Sequence, residues 1–301
     1  MYAMDSDEIL KKLNMIKDLP TLPVIALEIN RMLANDSTTV DFLSKTIEKD
    51  QAIVSKLLKL VNSSFFGVRS KVTTVQEAVV RLGFNSVRNV VVSVSVFESL
   101  VLDNAEDIDF NIEDFWTHSL AVAMTSRYLS EESGIQDPDD CFVAGLLHDI
   151  GLIIIARFFP DILVKIVRQV KEQNVSIYDA EKEIIPLRHN KIGELIAKKW
   201  QLPPAVCDTL KYHHTPNKGA VNPELVTLVH LGDIIVRRFY TTSINPVRDS
   251  VNPILSNINP SSEKKLDYLN RSAENWFPDV KDKIREACEF FIKKKEPVHH
   301  G

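Results

Sequence analysis

Along most of this chain apolar residues recur three and four positions apart, the spacing that lines one face of an α-helix. Residues 7–19 form the first such stretch, which ends at Pro20-Thr21-Leu22-Pro23, where two prolines break and redirect the backbone. A second helix is predicted over 24–33 and is stopped by Asn35-Asp36. A third follows a Thr38 or Thr39 cap and turns Val40, Leu43 and Ile47 inward. Residues 51–61 make a fourth, with Ile53, Leu57, Leu60 and Val61 on one face, and it breaks over 62–67. Thr74-x-x-Glu77 is a capping box ahead of the stripe Val75, Ala78, Val79 and Leu82, with Gly83 as the matching stop. Residues 90–97, VVVSVSVF, carry strand propensity instead. Helix is the better reading, because a lone strand among helices leaves its backbone groups without partners.

Acidic residues from Asp103 to Asp114 mark a boundary, and the helical pattern resumes over 113–130 with Trp116, His118, Leu120, Val122 and Met124. Asp137-Pro138-Asp139-Asp140 opens a helix that carries Cys141, Ala144 and Leu147 inward and delivers His148-Asp149. Gly151 is read as the point that lets the chain turn. A buried continuation runs to Pro160, and an amphipathic helix follows over 161–173. Another begins near His189 and ends at Trp200-Gln201-Leu202; Pro203-Pro204 opens the next, which ends at His213-His214. Pro223 opens a longer helix, 224–239, with His230 and Asp233 three apart. After a polar, turn-rich stretch, helices over 263–273 and 280–293 finish the chain. The expected fold class is all-α, in two packed lobes with a C-terminal extension: 1–103, 104–240 and 241–301.

Composition narrows the function. With 45% hydrophobic residues in 301, the chain can bury a sizeable core. A net charge of −5 gives no electrostatic reason to expect nucleic acid or an anionic membrane as partner. The most apolar run, 142–159, is interrupted by His148, Asp149 and Arg157, so it is not read as a membrane span. Cys141, Cys207 and Cys288 lie far apart and form no CxxC pair, which points to a reducing compartment. No secretory signal is read over 1–12, and the expected location is the cytoplasm.

The candidate chemistry lies in the second lobe. His118, His148-Asp149, His189, His213-His214 and Asp233 sit on or at the ends of five predicted helices. Imidazole and carboxylate without thiolate suit one or two divalent ions such as Fe, Mn or Zn. A buried carboxylate such as Asp149 needs a cation or strong donors. His118, His148, Asp149 and Asp233 would satisfy one ion, and His189, His213 and His214 could complete a second. The plain alternatives are a hydrogen-bonded core histidine at His118 and helix-end cations at His213-His214. On spacing alone His230 is as good a ligand as Asp233. His299 and His300 are given no role.

The set His118, His148-Asp149 and Asp233 resembles the metal motif of the HD superfamily of phosphohydrolases. More narrowly, the chain to about Phe239 resembles the HDOD family of bacterial signalling proteins. The resemblance rests on residues 19–23, Asp50 with 56–63, 78–83, Trp116-x-His118-Ser119, 145–151, Trp200-x-Leu202-Pro203 and His213-His214. It implies an all-helical, two-lobed fold and a regulatory role, without a generally established enzymatic activity. The related HD-GYP branch hydrolyses cyclic di-GMP with two or three metals, and all seven candidate ligands look like its ligand positions. Two departures stand out. Leu152 stands where that branch has lysine, and Thr215-Pro216-Asn217-Lys218-Gly219 replaces its GYP segment. The expectation is a non-catalytic signalling scaffold acting through a protein partner, with a metal-dependent phosphohydrolase as the rival. A nucleotide ligand in the same cavity is a third option.

Overall fold

Caps foreseen in the sequence start several of the helices. The computed structural model describes residues 39–62, 70–100, 110–240 and 252–291, together with 8, 9, 11, 12, 28, 29 and 32. The predicted Pro20–Pro23 break, the Asn35-Asp36 stop, most of the first two helices and His299-His300 lie outside the described residues. Thr39 caps α1 (Val40–Ile47) by accepting from the Phe42 N–H at 3.2 Å, and α2 (Gln51–Val61) follows. Thr74 caps α3 (Val75–Ser99) by accepting from the Glu77 N–H at 3.1 Å, while Glu77 reaches back to the Thr73 N–H at 2.9 Å. Gly83, at φ 86°, breaks α3 into two helical runs where the sequence expected a stop.

The run 90–97 is helical, and its environment explains why. Val87, Val90, Val91 and Val94 pack into one apolar core with α1 and α2, while Val92, Val96 and Leu100 pack into the other. A helix buried on two faces carries no clean amphipathic stripe. Burial outweighs the small helix penalty of β-branched side chains. The second half of α3 is therefore the joint between the two cores.

The larger core is built from α4 (Ile112–Ser133), α5 (Pro138–Leu147), α6 (Ile150–Phe158), α7 (Pro160–Gln173), α8 (Ile177–Ile184), α9 (His189–Lys199), α10 (Pro204–Tyr212) and α11 (Pro223–Phe239). It also takes in α12 (Pro260–Arg271) and α13 (Ala273–Phe291), which contribute Leu266, Phe277 and Ile284. Helix α8 was not anticipated. Helix α13 starts well before residue 280 and keeps Pro278 inside it. No strand occurs among the described residues. The stretch Pro138–Phe158 is long and apolar enough to cross a membrane, but 89% of its apolar 18-residue window is buried inside the protein, and a turn breaks it at His148-Asp149.

Gly151 does not make that turn. It sits inside α6, and a Cβ there would fall 2.0 Å from the His189 carbonyl oxygen. Its role is close approach: α6 and the start of α9 touch backbone to backbone, which brings His189 beside Asp149.

Candidate metal centre

Five pieces of the fold converge on Asp149. The middle of α4 supplies His118, the α5–α6 turn supplies His148 and Asp149, and the first turn of α9 supplies His189. The end of α10 supplies His213 and His214, and the middle of α11 supplies Asp233. His214 is partly exposed and the other six are buried.

The donors fall into two groups that share Asp149. Its Oδ2 lies 3.2 Å from His148 Nε2 and 3.8 Å from His118 Nε2, and Asp233 Oδ1 lies 3.3 Å from that same His118 nitrogen. Its Oδ1 faces the other way, 3.2 Å from His189 Nε2 and 3.3 Å from His213 Nε2. His214 Nε2 completes this second group, 3.0 Å from His189 Nε2.

Neighbours fix which nitrogen faces inward in three of the rings, His148, His189 and His213. The Nδ1–H groups of His148 and His213 donate to the Gly145 and Leu210 carbonyls at 2.7 and 2.8 Å. His189 Nδ1 lies 2.5 Å from the fully buried Glu181 carboxylate, which also accepts from the His189 N–H at 3.2 Å. Spending Nδ1 on an outer partner leaves Nε2 as the inward lone pair, the usual arrangement behind metal-binding imidazoles. His148 Nε2, His118 Nε2 and Asp149 Oδ1 are buried and have no hydrogen-bond partner. Such atoms are costly unless a cation satisfies them, so these residues fit a metal.

Charge reinforces the fit. Burial raises a carboxyl pKa, but His148 and the other facing imidazoles hold Asp149 well below the usual range. Arg237 and His118 do the same for Asp233 against its own burial. Burial lowers His213, and it drives His214 well below normal. Burial also opposes charge on His189, but Glu181 and Asp149 outweigh it and push the ring up to about 10. His148 is raised in the same sense by Asp149. Two anions are thus fixed in place, and in the metal-free protein protons on imidazoles supply part of the compensating charge.

All seven candidates come together, and the ambiguity at α11 is resolved. His230 Nδ1 donates to the His213 carbonyl at 2.6 Å and its Nε2 accepts from the Ile254 N–H at 3.0 Å. Both nitrogens are spent, so His230 is a core histidine held neutral, its pKa pushed down to about 4 by burial. Two residues escaped the sequence reading. Glu181 orients His189, and its signal was an acid in the apolar stripe Ile177, Ala180, Ile184. Arg237 lies one turn beyond Asp233 on the same face and binds its carboxylate. Arg237 and Leu152 line one small cavity over the centre, together with Tyr178 and His214. The His214 ring lies 4.1 Å from Tyr178, over which Arg188 packs at 4.1 Å. The cavity leaves about 10 Å³ for water centres, room for about one water.

A sequence model of the HDOD domain matches residues 19–216, well over half of the chain. The chain belongs to the HDOD family. An HDOD-domain protein of unknown function from Geobacter sulfurreducens has the same fold, with TM-score 0.72 at 23% identity over 95% of this chain and 97% of that one. A candidate metal-dependent phosphohydrolase from Shewanella amazonensis SB2B gives TM-score 0.60 at 17% identity over 95% and 99%. A curated relative, an uncharacterized protein of Treponema pallidum, is 29% identical over 224 residues. That alignment covers 74% of this chain but 43% of the relative, so this HDOD chain spans less than half its length. Asp233 and Arg237 lie beyond the span matched by the HDOD model.

Proposed function

We propose that this chain is a soluble, cytoplasmic HDOD signalling protein that holds two divalent ions and acts through a protein partner. Asp149 would be the residue shared by the two ions, with His118, His148 and Asp233 holding one and His189, His213 and His214 the other. The nitrogen and oxygen donor set suits Fe, Mn or Zn. The observation that carries this reading is the gathering of the donors around Asp149, with a cavity of about 10 Å³ beside Asp149, His189, His214 and Asp233. That is about one water's room beside those donors. Ions gripped there tie α4, α5, α9, α10 and α11 together, so binding energy becomes folding energy for this half of the molecule. A partner would read that metal-dependent rigidity.

A second reading, a metal-dependent phosphohydrolase, draws support from one observation. Leu152 supplies no charge, but Arg237 lines the same cavity and brings a guanidinium from α11. There the two ions would supply Lewis-acid polarisation of a phosphoryl group. Arg237 would orient a phosphate oxygen by paired N–H donors once it gave up part of its contact with Asp233. The buried walls around Asp149 would exclude bulk water.

Protein purified without chelator or nickel resin separates the two. Metal analysis is paired with assays on bis(p-nitrophenyl) phosphate and a cyclic dinucleotide. The scaffold reading expects bound metal and no turnover. Turnover that disappears in Asp149→Ala, and in Arg237→Met with metal content retained, would replace it with the hydrolase.

A further inference from the structure

A larger cavity lies apart from the metal centre, where α3 packs on the larger core, with about 230 Å³ open to water centres. This is more than ten times what one water requires, at ~10–15 Å³. One wall is polar and comes from α3 and the first turn of α5: Asn85, Arg88, Asn89 and Asp140. The facing wall is apolar and includes Val143, Leu202, Val206 and Leu225.

The polar wall is only partly spent. Arg88 Nε donates to Asn89 Oδ1 at 2.9 Å and one Nη donates to Asp140 Oδ1 at 3.3 Å. The second Asp140 contact, from the Asn89 amide at 3.2 Å, goes to the same oxygen. Arg88 Nη1, Asp140 Oδ2 and the Asn85 side-chain amide make no side-chain hydrogen bond among the described residues. The cavity edge therefore offers free donors beside a free acceptor. The charges of Arg88 and Asp140 cancel, so an anionic guest would have to break their pair.

We propose that this cavity binds a small, flat, uncharged heterocycle with a donor and an acceptor on one edge, of the nucleobase type. Arg88 and Asn85 would donate to its acceptor, Asp140 would accept from its N–H, and the apolar wall would cover its face. The walls come from α3, which joins the two cores, and from helices of the larger core, so the occupant ties α3 to α5, α10 and α11. The position also bears on the metal centre. Val143, Val206 and Leu225 line the cavity on α5, α10 and α11, and these helices lead to His148, His213 and Asp233. Each of those ligands lies about one to two turns further along its helix.

The test uses the full chain as purified, with guanosine, adenosine and uridine as probes and ribose 5-phosphate as an anionic, non-planar control. Calorimetry and thermal shift are run on wild type, Arg88→Gln and Ala205→Phe. Ala205 is partly exposed and lines the cavity, so the phenylalanine is placed to fill the space. At least one nucleoside should bind wild type and raise its melting temperature, with affinity weakened about tenfold in Arg88→Gln. Binding should vanish in Ala205→Phe while metal content stays at the wild-type level. Binding of none of the three nucleosides overturns the proposal. So does binding that persists unchanged in both variants, or equal binding of ribose 5-phosphate.

Discussion

Glu181→Gln isolates the outer support of the centre without removing a candidate ligand. Glu181 is fully buried and its carboxylate holds His189 twice, at Nδ1 (2.5 Å) and at the backbone N–H (3.2 Å). Glutamine keeps the volume and one acceptor but removes the charge. Loss of such an outer partner costs about 10–100-fold in metal affinity, or about 1.4–2.7 kcal/mol. The loss should fall on the ion shared by Asp149, His189, His213 and His214, leaving the ion at His118 and His148 bound as before. The metal-free protein gives a second readout. His189 is raised from 6.5 to about 10, so its contribution to stability is fully present below pH 6.5 and is lost as pH climbs through 10. That contribution is on the order of a few kcal/mol, and the variant should show a shallower alkaline decline, since Asp149 still raises His189 and His148. Competition against a fluorescent chelator measures the affinities, and thermal melts of chelator-stripped protein from pH 6 to 10 measure the slope. Unchanged affinity for both ions together with an unchanged slope would refute the reasoning.

Gly151→Ala should destabilise the protein by about 1–3 kcal/mol and weaken the His189-bound ion, because its Cβ would meet the His189 carbonyl at 2.0 Å; melting and metal analysis check both. His230→Leu should cost about 1–3 kcal/mol by orphaning the His213 carbonyl and the Ile254 N–H, with metal content unchanged. Asp233→Asn should instead release an ion, and a metal loss in His230→Leu equal to that in Asp233→Asn would reverse the assignment. Metal uptake at pH 7 should release protons, since His148 and His189 are raised and must give up protons to coordinate. Affinity then strengthens as pH rises, and binding enthalpies should differ between phosphate and Tris buffers.

That these imidazoles and acids gather in one place was legible from their positions at the ends of apolar stripes, although core histidines and helix-end cations were the plain alternatives there. Spacing could not choose between His230 and Asp233, which share a helix face; the choice depends on which nitrogens neighbouring backbone groups already occupy. Helix α8 was missed because Glu181 breaks its stripe, and the same charge marks its use. The run 90–97 looked like a strand because a helix wedged between two cores is apolar all round. Gly151 was assigned to a turn on chemistry that glycine does support, but the backbone contact it permits comes from α9, nearly forty residues away in sequence. That Arg237 and Leu152 line one cavity is likewise a tertiary fact, since the two residues belong to different helices.

Metal stoichiometry across single ligand variants bears most directly on Asp149 as the member common to both donor groups. Wild-type protein should carry two ions per chain, His118→Ala one and Asp149→Ala none. Equal metal loss in His118→Ala and Asp149→Ala, or an Asp149→Ala protein that keeps both ions, would contradict the shared-carboxylate centre.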